Sequence, residues 1–417
     1  MKYTLRDYQK EASDMAVGAL LKEKHPFIIQ AATGAGKSLL IADICHRINE
    51  PILILQPSKE ILEQNYQKLL SYDSALDVGI YSASKGRKEI AKFTFATIGS
   101  IYKKPEEFKH FKYVLIDECH GVNPKNLSGM LTTFLKAIGC EHVCGLTATP
   151  YRIDTLWKRE WDGTLTATAS LKMINRISRT PFFKKILYKI ETADLIEKKY
   201  LCPIEYFVEQ TDWDELVVNT TGADFTAKSM EAWTEKPSRL DRIVQAVQYS
   251  EQHNTRTLVF CYSLAQARKA MERVNALGIT SKMVSGTTPM KEREIIIELY
   301  KSGKIKHLFN VGVFTTGFDV PELDCIVMAR PTMSLALYYQ IIGRGVRLDP
   351  KRPEKILQVY DLVGVVERLG RVETIRVKTE KGGFRDEVWS EVGRMDNVEL
   401  YTFRIKPKKG VKNGQNY

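Results

Sequence analysis

At 417 residues the chain is long enough for two to three domains, each able to bury its own core. Apolar residues at 44% and charged residues at 27% exclude a disordered or fibrous chain, and no uncharged apolar run approaches the ~20 residues of a membrane span. Lys and Arg outnumber Asp and Glu by 62 to 50, a net +12 that points towards polyanion partners without requiring one.

Short apolar runs alternate with helical-period segments from the start. HPFIIQ (25–30) reads as a strand, a glycine-rich turn follows, and KSLLIADICHRI reads as a helix. PILILQ (51–56) is a second strand, closed by Pro57, with Ser58 placed to cap the helix that follows. FTFATIG (93–99), YVLIDE (113–118) and VCGLTAT (143–149) continue the series. Residues 201–240 are acidic and turn-rich and read as a connector. The alternation resumes with RLDRIVQAVQYSEQ as a helix and TLVFCYS (257–263) as a strand. A helix ended by Gly278 follows, then strands SKMVSG, HLFNVGV, CIVMARP and ILQVYDLVG. Such alternation predicts two α/β domains of parallel strands, with helices on both faces and a cleft between the domains. The expected boundaries are 1–200, a connector at 201–240, 241–370, and a basic extension at 371–417.

The seven cysteines are scattered and odd in number, which fits a reducing compartment. Cys140, His142 and Cys144 alternate as strand residues do; a zinc site would need a fourth ligand at metal spacing. MKYTLRDYQKEASDM at the N-terminus carries no signal-peptide core, so a cytoplasmic chain is expected.

Ala31-Ala-Thr-Gly-Ala-Gly-Lys-Ser38 lies between a strand and a helix, where a phosphate-binding loop must lie. Thr33, Gly34, Ala35 and Gly36 would wrap backbone N–H groups around phosphate oxygens. Lys37 would reach the β- and γ-phosphates, and the Ser38 hydroxyl would ligate Mg²⁺. The general pattern has glycine where this chain has Ala31. Some 80 residues on, Tyr113-Val-Leu-Ile-Asp-Glu-Cys-His120 is an apolar strand ending in paired carboxylates. Asp117 suits the metal, and Glu118 suits orienting and deprotonating a water. The cofactors expected are therefore ATP and Mg²⁺.

Asp-Glu-Cys-His is a form of the DEAD/DEAH-box signature, and from there the chain resembles a superfamily 2 helicase over residues 5 to about 370. The resemblance implies two tandem RecA-like domains around an ATP cleft. Leu-Arg-Asp-Tyr-Gln (5–9) resembles the adenine-reading element, with Gln9 the base contact and Arg6 its support; a capped helix start would look the same. Gln-Pro-Ser-Lys-Glu (56–60) and Ala-Thr-Ile-Gly-Ser (96–100) resemble motifs Ia and Ic, implying nucleic-acid contacts at Pro57, Ser58 and Thr97; plain strand-to-helix turns also carry such residues. Thr147-Ala-Thr149-Pro150 resembles motif III, which with His120 implies coupling of hydrolysis to domain movement. Val259-Phe-Cys-Tyr-Ser263 resembles motif IV, and Ser263 and Gly286 join the implied nucleic-acid contacts. The run 311–321 matches motif V, with Thr315 and Thr316 as phosphate contacts and Gly317 and Asp319 facing the nucleotide. Gln340-Ile-Ile-Gly-Arg-Gly-Val-Arg347 resembles motif VI. On a helix, Arg344 and Arg347 would share a face and meet a γ-phosphate held by the other domain, with Gln340 beside them.

Further residues are similar to RadD-type bacterial repair helicases and related phage helicases: Glu197–Pro203, Gly222–Phe225, Arg330–Ser334 and Asp361–Arg368. The cysteine-rich tail common in that family has no counterpart after Cys325, and the long C-terminal extension is likewise missing. The resemblance implies an ATP-dependent DNA helicase or translocase in a bacterial or phage-infected cytoplasm. The expected partner is single-stranded, forked or branched DNA, met as a monomer and away from membranes. An RNA motor, or a non-enzymatic binding protein on the same scaffold, stays open. Leu171–Ile190 holds six basic residues and no acid, with Phe182, Phe183 and Tyr188 interleaved, as either a nucleic-acid surface or core packing. The tail from Arg404 holds five basic residues and no acid, and its KPKKGVKNG (406–414) reads as flexible, either an accessory DNA-binding arm or a solubilising terminus.

Overall fold

The computed structural model describes residues 3–83, 86–122, 129–162, 164–176, 181–219, 224–313, 320–379, 386–396 and 399–405. In the first half, α1 (Asp7–Lys22) leads to β1 (Phe27–Ala31) and α2 (Lys37–Ile48), and β2 (Ile52–Leu55) leads to α3 (Lys59–Tyr72). β3 (Val78–Ser82), β4 (Arg87–Lys88), β5 (Phe93–Ala96) and the short α4 (Ile98–Ile101) follow. Then come β6 (Tyr113–Asp117), α5 (Met130–Ile138) and β7 (His142–Thr147). A long hairpin, β8 (Tyr151–Arg159) and β9 (Leu165–Met173), precedes β10 (Lys185–Ile190) and α6 (Thr192–Glu197).

The first sheet runs β10-β1-β7-β6-β2-β5-β3-β4. Its strands pair in parallel except for the β3–β4 edge, which is antiparallel. Phe27, Ile29, Ile52, Ile54, Phe93, Phe95 and Leu115 are buried together under α1, α2 and α3, while Leu53, Val114 and Val143 fill the opposite face with α5. Strands covered on both faces need continuous apolar runs, which explains why PILIL and YVLI carry no alternation.

The second half contains β11 (Ile204–Val208), α7 (Ala227–Thr234), α8 (Pro237–Gln252), β12 (Thr257–Cys261), α9 (Leu264–Ala276), β13 (Ser281–Ser285) and α10 (Met290–Lys301). It continues through β14 (His307–Val311), β15 (Cys325–Met328), α11 (Leu335–Ile342), β16 (Leu357–Asp361) and α12 (Val365–Leu369). The second sheet, β11-β16-β15-β12-β14-β13, is parallel throughout. Part of the expected connector is thus structural: β11 is an edge strand of this sheet.

Beyond α12, β17 (Arg376–Thr379), β18 (Asp386–Ser390) and β19 (Gly393–Arg394) form a small antiparallel sheet. β20 (Glu399–Ile405) pairs with β9 of the first-half hairpin. Arg404 and Ile405, the start of the basic tail, belong to β20, and the stretch KPKKGVKNG (406–414) expected to be flexible lies outside the described residues. The segment 371–377 bridges both halves. Its Arg376 guanidinium contacts Glu191 at 3.1 Å and Asp194 at 2.6 Å, the Val377 N–H donates to Glu191, and Glu373 accepts from the Tyr206 hydroxyl at 2.9 Å.

In Leu171–Ile190, Phe183 is fully buried and the Tyr188 hydroxyl donates to Glu11, so these aromatics serve the first domain's packing. Cys144 is buried in β7 and Cys140 precedes that strand; among the described residues no three His, Cys, Asp or Glu side chains gather as a metal-binding group. No helix among the described residues is long and apolar enough to cross a membrane.

Candidate ATP cleft and nucleic-acid face

The phosphate loop forms because Gly34 and Gly36 take left-handed φ values of +89° and +82°. Both positions are also crowded. A Cβ on Gly36 would lie 2.5 Å from the Gln9 amide nitrogen, and one on Gly34 would press on Leu201 at 3.0 Å. The loop is held from behind: the Tyr8 hydroxyl and Gln9 Nε2 both donate to the Ala35 carbonyl, at 2.9 and 2.8 Å. Gln9 Oε1 accepts the Arg6 N–H, and the Arg6 guanidinium lies over the Tyr200 ring. Gln9 therefore braces the loop at the cleft wall, and Tyr8, which sequence reasoning passed over, shares that task.

Lys37 opens α2, and its ammonium lies 3.3 Å from Glu118 Oε1. Glu118 ends the β6 run with a positive φ of 48°, a strained backbone for a residue with a Cβ. Its other oxygen lies 3.4 Å from His120 Nδ1, which in turn contacts Thr147 Oγ1 at 2.8 Å and Thr149 Oγ1 at 3.3 Å. A polar chain thus runs from the phosphate-loop lysine through Glu118 and His120 to motif III. Burial and the neighbouring Glu118 charge push the Asp117 carboxyl above the usual carboxylate range. Glu118 is also buried, but the Lys37 ammonium and the His120 contact outweigh that and hold it low.

Asn65 of α3 joins the parts that would serve a metal. The Ser38 hydroxyl donates to Asn65 Oδ1 at 2.5 Å, while Asn65 Nδ2 donates to Asp117 Oδ2 at 2.8 Å and Gln56 Oε1 at 3.0 Å. Ser38 and Asp117 are therefore held one amide apart, with the hydroxyl lone pairs available. Two hard oxygen donors beside a buried carboxylate pair short of positive charge fit Mg²⁺. Asn65 was not singled out from sequence. Its signal was a polar residue inside the buried stripe Leu62, Asn65, Leu69, Tyr72.

Motif VI corrects one expectation. α11 stops at Ile342, so Arg344 sits in the following turn and Arg347 in an extended bridge to Leu201, rather than both on one helix face. Gly343, the next residue, packs against the phosphate loop: a Cβ on it would collide with the Thr33 side chain. Both arginines still reach the intended place. A cleft of about 870 Å³ is lined by Arg6, Gln9, Thr33, Gly34, Gly36, Lys37, Ser38, Asn65, Asp117 and Glu118 from one side, and by Gln340, Arg344 and Arg347 from the other. Arg344 is nearly buried, its Nε donating to the Gln340 carbonyl.

The expected nucleic-acid residues lie outside this cleft. Ser58, Thr97, Ser263 and Gly286 each follow the C-terminal end of a parallel strand, β2, β5, β12 and β13, with Pro57 beside Ser58. Three of the hydroxyls have local work. Ser58 and Ser263 accept from the N–H groups of Ile61 and Gln266 as helix caps, and Thr97 Oγ1 pairs with Ser100 Oγ. Thr315, Thr316, Gly317 and Asp319 lie outside the described residues.

Two parallel-sheet lobes enclosing a phosphate loop, a carboxylate pair and opposing arginines define a two-lobed P-loop nucleotide-binding fold. Family models agree in the same order along the chain: residues 2–152 match the type III restriction enzyme res subunit and residues 235–349 the helicase conserved C-terminal domain. The chain belongs to the superfamily 2 helicases. It is 25% identical over 378 residues to the helicase-family protein IRC3 of Saccharomyces cerevisiae, covering 86% of this chain and 51% of that protein, so it spans about half of that relative's length. It is 25% identical over 372 residues to the DNA 3'-5' translocase XPB2 of Sulfurisphaera tokodaii, covering 84% of this chain and 80% of that one. The DNA-bound type ISP restriction-modification enzyme LlaBIII shares the fold with a TM-score of 0.62 and 15% identity, over 86% of this chain and 28% of that one.

Proposed function

We propose that the chain is an ATP-dependent DNA helicase or translocase that couples hydrolysis in the cleft to movement along DNA, single-stranded, forked or branched. The observation that carries this reading is the shared cleft, with Lys37, Ser38, Asp117 and Glu118 facing Gln340, Arg344 and Arg347. In this reading Lys37 leaves Glu118 for the γ-phosphate, which frees the carboxylate to orient and deprotonate water. Arg344 and Arg347 stabilise the charge that develops on the transferred phosphoryl group. Ser38 and Asp117 would hold Mg²⁺, which supplies charge neutralisation at the phosphates. Gln9 and Arg6 border the space an adenine would take, and Gly317 and Asp319 are assigned to the nucleotide side by their motif alone.

Pro57, Ser58, Thr97, Ser263 and Gly286, with Thr315 and Thr316, are proposed to track the nucleic-acid backbone along the C-terminal edges of both sheets. The bonded chain Glu118–His120–Thr147–Thr149 supports the coupling role given to His120 and the two threonines. The participation of β11 in the second sheet supports drawing the border of the second domain ahead of Ile204.

The test is ATP turnover by purified protein on single-stranded, duplex, forked and four-way DNA, with matched RNA. DNA should stimulate turnover. Lys37→Ala should abolish it, and Glu118→Gln should lower it by about 10²–10⁴-fold. Turnover indifferent to DNA at low salt overturns the proposal, and a preference for RNA transfers it to an RNA motor.

A further inference from the structure

The hairpin β8–β9 carries a feature that the ATP cleft does not use. It is rooted in the core through Tyr151, Leu171 and Met173, each no more than 3% exposed. Nine cross-strand pairs, Tyr151↔Met173 through Arg159↔Leu165, hold it in register, and β20 flanks β9 for much of its length. Nine residues of antiparallel strand project about 30 Å. Towards the far end the apolar side chains face water: Leu156 is 58% exposed, Trp157 40% and Trp161 98%, with Lys158 and Arg159 exposed among them. Neither tryptophan makes a ring contact with a described residue. Leu156, Trp157 and Trp161 exposed together on a braced arm form an apolar patch of the kind that marks an interaction site.

Position favours one occupant. The strands of the first sheet other than β4 run parallel, so their C-terminal ends share one edge, which carries Pro57, Ser58, Thr97, Asp117 and Thr147. β8 begins four residues after β7 ends, directly behind Thr147 and Thr149, which are bonded to the His120 side chain at 2.8 and 3.3 Å. The arm therefore springs from the edge proposed to hold nucleic acid and from the segment next to the hydrolytic carboxylate. Indole faces stack on any base, because every base presents a π-face, and the adjacent cations suit flanking phosphates.

We propose that Trp161, supported by Trp157, stacks on the base pair at a junction between single- and double-stranded DNA, so that the hairpin splits the duplex as the motor advances. This rests on the DNA-motor reading and extends it from translocation to strand separation.

The test compares wild type, Trp161→Ala and Trp161→Phe on a forked duplex with 2-aminopurine in its first base pair. Without ATP, wild type and Trp161→Phe should change the 2-aminopurine fluorescence, and Trp161→Ala should not. With ATP, Trp161→Ala should lose at least about tenfold in unwinding while DNA-stimulated ATPase and streptavidin displacement from single strands stay within about twofold, and Trp161→Phe should retain most unwinding. An unchanged fluorescence response and unchanged unwinding in Trp161→Ala overturn the proposal and leave the aromatic tip to a protein partner. If wild-type ATPase ignores DNA, the motor reading fails, while the 2-aminopurine signal still decides whether the hairpin meets the junction.

Discussion

Asn65 shows how one amide can organise a candidate catalytic site it does not resemble. Replacing it with alanine strands the Ser38 hydroxyl and leaves the buried Asp117 carboxylate without its side-chain donor. Asn65→Ala should cost about 1–3 kcal/mol of stability. It should also weaken Mg²⁺-dependent nucleotide binding more than metal-free binding, a difference that fluorescent-nucleotide titration will show. The raised Asp117 value sets a pH dependence with a definite sign. Protons compete with the cation as pH falls towards about 6, so apparent Mg²⁺ affinity should decline on acidification and approach a tenfold loss per pH unit below that value. For folding the sign reverses. The folded chain keeps a proton that the unfolded chain has released, so this carboxyl favours the fold below its ordinary 3.8 and loses that contribution as pH rises through about 6. An Mg²⁺ affinity independent of pH across this window would remove Asp117 from the metal site.

Elements governed by local chemistry were readable in the sequence, and those set by distant pairing were not. The phosphate loop was legible because ligand and turn confine residue types to within eight positions, and β6 was legible because a strand covered on both faces has no room for polar residues before Asp117. The end of α11 was not legible. The run QIIGRGVR continues a helical pattern, but the pairing of Arg347 with Leu201, far away in the chain, draws it out of the helix, and Gly343 packs tightly on Thr33 of the phosphate loop. Gly343→Ala should therefore act by wedging the two lobes apart. ATP turnover should fall at least about tenfold, with far-ultraviolet circular dichroism unchanged and a larger radius of gyration by X-ray scattering. Unchanged turnover would show that the loop tolerates the extra carbon. The role of β11 was hidden for a similar reason. IEYFV is short and lies in an acidic stretch, and only the neighbouring β16 makes it a strand.

At the scale of the whole molecule, part of the net +12 can be placed: Lys158 and Arg159 are exposed on the hairpin, while Arg376 and Lys37 are matched by the acids they meet. If backbone contacts dominate, DNA affinity should fall steeply and linearly with log salt, with little sequence preference. A shallow slope would mean few phosphate contacts. Glu191 ties the first lobe to the bridge by bonds to Arg376 and Val377. Glu191→Ala should cost about 1–3 kcal/mol in denaturant unfolding, because the Val377 N–H is left buried without its acceptor.

That bridge also changes the mechanics of the motor. Two lobes joined by a single peptide link can twist and tumble about it, whereas these are linked at 199–203, held again at 371–377 and tied once more where β20 pairs with β9. Separated attachments restrict the axes about which the lobes can rotate and keep them from drifting apart. If the chain is the motor proposed above, each turnover is then channelled into a restricted swing, and the distance between dyes on α3 and α10 should switch between two narrow values instead of spreading over many.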